Sequence, residues 1–143
     1  MLKKLFLMVC VILIPLQGLA PQQKALYLLI EPPIKPYEAL WRAVSMVESS
    51  GDSLAYNVSE RATGIVQIRP ILLRDYNART GSRLKLSEMY STKISKKVFL
   101  YYATKYHYTE YERIAKKWNG SGKMTTIYWH KVKKRLQAEE KIN

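Results

Sequence analysis

The chain has 143 residues, 48% of them apolar, and a formal net charge of +13 from 24 lysines and arginines against 11 acids. That length allows one domain at most. Its single cysteine, Cys10, excludes an internal disulfide. Beyond it only His107 and His130 offer soft metal ligands, too few for a zinc site, so no metal and no cofactor is expected.

Residues 1–20 read as an export signal or N-terminal anchor. Lys3 and Lys4 form a basic start, Leu5 to Leu16 an apolar run, and Gly18-Leu19-Ala20 a small-residue cleavage context. The run is shorter than the roughly 20 apolar residues of a comfortable membrane span. Pro21 after Ala20 is awkward for cleavage, which leaves the anchor alternative open. Val9 before Cys10 argues against lipoprotein processing. Residues 21–36 carry Pro21, Pro32, Pro33 and Pro36 and read as a tether, with room for a short helix over Gln22 to Ile30.

A mostly helical domain is expected over residues 37–138. Pro36 suits a helix start, and Leu40, Ala43, Val44 and Val47 share one face up to Ser49. Ser50-Gly51 stops that helix, with the glycine suited to a left-handed cap. Residues 52–69 read as irregular or a small hairpin. Pro70 opens a second helix to about Ala78, closed by Gly81, and a loop follows from Ser82 to Ser91. A third helix is expected from Thr92 to Tyr106, with Ile94, Val98, Tyr101 and Tyr102 inward. Thr109-Glu110-Tyr111-Glu112 fits a capping box that starts a short helix ending near Trp118-Asn119-Gly120. The last helix runs from about Thr125, with Ile127, Tyr128, Val132 and Leu136 inward and a basic Lys131, Lys133, Lys134, Arg135 stretch.

Glu48 follows Leu40 and Val44 at helical spacing, so it lies near the apolar face. It also lies in the last turn, where the helix dipole disfavours negative charge. Burial and dipole both raise a carboxylate's pKa. A carboxylic acid kept protonated near neutral pH is what a glycosidic leaving group needs. Taken alone, Glu48 reads as an ordinary, partly exposed helix-end charge.

The residues that follow add to it: Glu48-Ser49, Ala55-Tyr56-Asn57, Gly64-Ile65-Val66-Gln67-Ile68-Arg69-Pro70 and, much later, Lys117-Trp118-Asn119-Gly120. This ordered set, spanning roughly residues 37–136, resembles the soluble lytic transglycosylase type of the lysozyme-like superfamily. There a helix ends in Glu-Ser, a Gly-Leu-Met-Gln-Ile-x-Pro step comes later, and an Ala-Tyr-Asn-x-Gly step lies near the end. The resemblance implies a mainly α, lysozyme-like fold with a small irregular or hairpin lobe. It implies cleavage of the bond between N-acetylmuramic acid and N-acetylglucosamine in peptidoglycan, with Glu48 as the single acid and base. By similarity Ser49, Asn57, Gln67 and Asn119 contact substrate or orient the acid, and Gly64 lets the backbone approach the sugar.

Two departures bear on that mechanism. Trp118 stands where the family has Tyr, so an aromatic wall survives, but a phenol for Glu48 would have to come from Tyr101 or Tyr102. Asp52 and Glu60 add carboxylates between the motifs. Asp52 reads as a solvated loop charge. Glu60 is either a partner of Arg61 or Arg69, or a second catalytic carboxylate that positions a water, as in goose-type lysozymes.

Of the 11 tyrosines, Tyr101, Tyr102, Tyr106 and Tyr108 cluster near the end of the third helix. Most suit core packing, while Tyr101 and Tyr102 are candidates for a glycan groove. The expected partners are peptidoglycan strands, with anionic wall polymers or a membrane surface for the excess basic charge. Nucleic acid fits an exported chain poorly, and a monomer is expected. The competing functions are a hydrolytic muramidase on the same bond and a non-catalytic wall-binding protein of the same fold.

Overall fold

The computed structural model describes residues 36–140. Residues 1–20, Cys10 and the tether up to residue 35 lie outside the described residues, as do the last three. The described chain is mainly helical: α1 Glu38–Ser49, α2 Pro70–Thr80, α3 Thr92–Ala103, α4 Tyr111–Asn119 and α5 Met124–Glu140. Between α1 and α2 lies a hairpin of two two-residue strands, β1 Tyr56–Asn57 and β2 Ala62–Thr63. The strands pair antiparallel, Tyr56 with Thr63 and Asn57 with Ala62. Thr63 and Ile68 then exchange two backbone hydrogen bonds of 3.0 Å, which folds Gly64 to Gln67 into a tight turn.

The helices form where apolar residues recur on one face. Leu40, Ala43 and Val44 of α1, Val98 and Phe99 of α3, Ala115 of α4 and Val132 of α5 are all fully buried. Helix α5 packs against both α1 and α4. Edge-on aromatic pairs knit the centre: Trp41–Phe99 at 5.4 Å and Phe99–Trp118 at 5.0 Å between ring centroids. Two hydroxyls tie the domain entry to its far side. Tyr37 donates to the Tyr106 carbonyl at 2.8 Å, and Tyr111 donates to that of Pro36 at 2.6 Å.

Several local expectations are corrected. Helix α1 starts at Glu38 rather than Pro36, and Ser50 is its left-handed cap, with φ 56°, followed by Gly51, left-handed as expected at φ 83°. Helix α2 runs two residues past Ala78 before the left-handed Gly81. The Ser82–Ser91 loop contains a 3-10 turn, Leu86–Tyr90, whose Met89 is fully buried. Helix α3 stops at Ala103, and Tyr101 and Tyr102 are only half-buried. The capping box does not form. Helix α4 has Glu110 as its N-cap, with no side-chain cap bond, while Thr109 pairs with His107 at 2.7 Å. On α5 Ile127 is half exposed, and only Tyr128 and Val132 of the expected set are buried.

Candidate active site

Glu48 occupies the last turn of α1, half-buried against α5. The Tyr128 hydroxyl, 80 residues away in sequence, donates to Glu48 Oε1 at 2.8 Å. Tyr128 is 7% exposed, so this bond lies in the seam between the two helices. Burial pushes the Tyr128 phenol far above its ordinary range, and the neighbouring Glu48 charge adds to the shift. The phenol therefore stays protonated and acts as a donor.

Glu48 itself is raised above the ordinary carboxylate range. Burial is the largest cause. The Tyr128 bond, the Arg69 charge and the Trp118 indole N–H pull the other way, while the Glu60 charge adds to the rise. The result is an acid stabilised in its neutral form and oriented by a neutral donor.

Arg69, the N-cap of α2, links the two sides of this cluster. Its Nη2 donates to the carbonyls of Trp118 at 3.3 Å and Asn119 at 3.1 Å. Its Nη1 faces Glu60 Oε2 at 4.0 Å. Glu60 thus sits with Arg69 rather than Arg61, and its side chain is 55% exposed. Arg69 was not among the expected site residues, although it stands inside the Gln67-Ile68-Arg69-Pro70 motif.

Most residues of the hairpin lobe use their polar groups to shape the backbone. Ser49 Oγ donates to the Ile65 carbonyl at 2.8 Å, which fastens the end of α1 to the turn after β2. Gln67 Nε2 donates to the carbonyls of Gly64 at 3.0 Å and Ala55 at 3.3 Å. Asn57 Oδ1 accepts from the Ser59 hydroxyl and from the amides of Ser59 and Glu60, closing the hairpin tip. Asp52 Oδ1 accepts from the Leu54 amide at 2.8 Å and so shapes its own turn. The space above Gly64 is not open to a ligand. Its φ is +81°, and an added Cβ would collide with the Met89 carbonyl. The glycine is required by packing against the 3-10 turn, not by approach of a sugar.

Tyr101 and Tyr102 do not reach Glu48. Their rings pack edge-on at 5.1 Å, and Tyr101 meets Tyr76 at the same distance. The Tyr102 hydroxyl contacts Asp75 Oδ2 at 2.7 Å and the Leu72 carbonyl at 3.1 Å. The phenol expected from this pair comes instead from Tyr128. Its signal was its place on the apolar face of the closing helix. Trp118 lies beside the acid, 7% exposed, and Asn119 follows it at the end of α4 with a side-chain amide that makes no hydrogen bond among the described residues.

Among the described residues no cluster of three or more His, Cys, Asp or Glu could hold a metal ion. Nor is any helix there long and apolar enough to cross a membrane. No protein-family model, curated protein or solved structure matches this chain.

Proposed function

We propose that this chain is a peptidoglycan lytic transglycosylase with a lysozyme-like fold, using Glu48 as its only acid and base. The observation that carries the reading is the Glu48–Tyr128 pair: a half-buried carboxyl of raised pKa, aligned by a phenol 2.8 Å away. With Tyr128 donating to Oε1, Oε2 is left to carry and deliver the acid proton.

The reaction then balances without water. Glu48 gives its proton to the glycosidic oxygen, and the bond from that oxygen to C1 of N-acetylmuramic acid breaks. The resulting carboxylate takes the proton of the muramyl 6-hydroxyl. That oxygen bonds to C1, giving the 1,6-anhydro sugar and restoring the Glu48 acid. Asn119, whose side-chain amide makes no hydrogen bond among the described residues, would hold the substrate. Trp118 supplies an apolar wall, and Arg69 fixes the segment that carries both. The tie of Glu60 to Arg69 supports a single-carboxylate mechanism over water activation. Access to the wall would be provided by export through residues 1–20.

The test is mass analysis of the fragments released from purified wall by the wild type and by Glu48→Gln. Anhydro-terminated fragments from the wild type alone are expected. Reducing ends would make the protein a muramidase. Undiminished cleavage by the folded variant would remove Glu48 from the mechanism, and no cleavage by the wild type would favour a wall-binding protein.

A further inference from the structure

A cleft of about 420 Å³ lies between the end of α1 and the C-terminal half of α5. Helix α1 lines it with Met46, Val47 and Ser50, and α5 with Lys131, Lys134 and Arg135. The three cations stand at i, i+3 and i+4, which puts them on one face of α5. All three are exposed, while Met46 and Val47 are half-buried and give the cleft an apolar wall. No acid is among the lining residues.

Like charges at this spacing repel one another along a helix. The negative end of the α1 dipole offsets part of that repulsion. Beyond it the three side chains are uncommitted: among the described residues none pairs with an acid, donates a hydrogen bond or stacks on a ring. Lys133, on another face of α5, makes the contrast. Glu112 of α4 is held below its usual range first by its bond to Lys116, and Lys133 is among the further cations that add to the effect. The acids at the end of α1 are turned elsewhere. Glu48 accepts from Tyr128, and Asp52 accepts from the Leu54 amide.

We propose that this cleft docks the protein on an anionic membrane surface by taking a phospholipid headgroup, an interaction independent of the transglycosylase reading. The headgroup phosphate meets Lys131, Lys134 and Arg135, and the carbons next to it lie along Met46, Val47 and Ala138. The volume is at the small end for a ligand pocket and suits one headgroup. An uncharged glycan strand has no use for three cations. A phosphodiester polymer of the wall, hydrophilic throughout, would use the cations and leave Met46 and Val47 without a partner.

The test measures binding of the full-length protein to neutral phosphatidylcholine vesicles and to vesicles that also contain phosphatidylglycerol, read as the ratio of the two affinities. Any contribution of residues 1–20 is common to every variant and cancels between them. The wild type is expected to bind the anionic vesicles tighter by about tenfold or more. Lys134→Glu combined with Arg135→Glu is expected to lower that ratio by about tenfold. Arg74→Glu combined with Arg83→Glu makes the same change of net charge at two exposed arginines outside the cleft, and should leave the ratio within about threefold of the wild type. An equal loss in both double variants would reduce the effect to bulk charge and overturn the proposal, as would a wild type that does not distinguish the two vesicles. Release of the wild type from anionic vesicles by soluble poly(glycerol phosphate) at an equal phosphate concentration would assign the cleft to a wall polymer and overturn it as well. Cleavage does not enter the measurement, so failure of docking leaves the proposed function standing, and failure of cleavage leaves docking standing.

Discussion

The Glu48 carboxylate stands between two regions built by different means. On one side is the seam of α1 and α5, where Tyr128 and Val132 pack onto a core that includes the fully buried Leu40 and Val44. On the other is the lobe of residues 50–69, with two two-residue strands and an exposed β1. The seam is held by apolar burial, worth about 1.5–3 kcal/mol per large side chain. The lobe is held by side chains that bond to backbone: Ser49, Asp52, Asn57 and Gln67. Among the described residues the three non-glycine residues of positive φ, Ser50, Arg61 and Gln67, all fall within it. Such conformations cost of order 1 kcal/mol or more each and persist where neighbours impose them. The contrast teaches a division of labour: the seam buries Glu48 and orients it through Tyr128, and the lobe brings the charges of Arg69 and Glu60 to bear on it.

The largest effect should come from the seam. Glu48→Gln is expected to lower wall cleavage by roughly 10²- to 10⁴-fold, measured as soluble fragments released per minute. The same variant should be more stable than the wild type above mildly acidic pH. Glu48's folded pKa lies above its unfolded value, so the folded chain holds a proton that the unfolded chain has lost. Stability from this group is complete below the unfolded pKa and is lost as pH rises through the folded one. Thermal melts of the two proteins should therefore converge in acid and separate towards neutral and alkaline pH. A gap independent of pH would mean that Glu48 is not penalised by its surroundings.

The lobe's counterpart is Gly64→Ala. A left-handed φ and a collision with the Met89 carbonyl act together, and the expected loss is about 2–6 kcal/mol of stability in denaturant melts. Because Met89 belongs to the buried core, the damage would not stay local. A near-neutral Gly64→Ala would mean that the lobe yields freely and cannot be positioning the groups opposite the acid.

Tyr128→Phe separates positioning from packing, since the ring stays. Loss of the hydrogen bond to Glu48 should reduce kcat about tenfold. Its pH signature distinguishes it from a structural defect. The Tyr128 bond lowers the Glu48 pKa, so removing it raises that pKa further. The alkaline limb of the rate profile should then move to higher pH. A drop in rate with an unmoved limb would assign Tyr128 a packing role only.

The two regions also differed in how far they could be read from sequence. Helical spacing placed Leu40, Val44, Val98 and Val132 inside, because burial of a helix face follows from a short-range period. Pro70 and Gly81 marked the ends of α2 for equally local reasons. The Glu48–Tyr128 bond was not legible, since nothing local in residues 124–140 says which inward side chain meets the end of α1. Trp118 drew attention to a missing phenol, and the tyrosine pair expected to supply it, Tyr101 and Tyr102, was the wrong source. In the lobe, the motif residues stood out, but what each of them touches did not. Gly64 needed the Met89 carbonyl, contributed by a 3-10 turn hidden in an apparent loop. The Thr109–Glu112 pattern met the rule for a capping box, yet Thr109 pairs with His107 and the helix begins without it.

The smallest effect sharpens the comparison most, because Glu60 belongs to the lobe yet acts on the seam. Its carboxylate is 4.0 Å from Arg69 and raises the Glu48 pKa through space. With Glu60 more than half exposed, the Glu60–Arg69 pair contributes at most about 1 kcal/mol. If Glu60 is only a counter-charge, Glu60→Gln should leave wall cleavage within about threefold of the wild type. Removing its charge should lower the Glu48 pKa, so the alkaline limb should move to lower pH, opposite to the shift expected for Tyr128→Phe. The products should keep their anhydro ends. If Glu60 instead positions a water, the same substitution should cost roughly 10²-fold or more and abolish reducing-end products. The two outcomes differ in size, in the direction of the limb and in the product. One conservative substitution thus decides whether the lobe merely tunes the acid or supplies a second catalytic group.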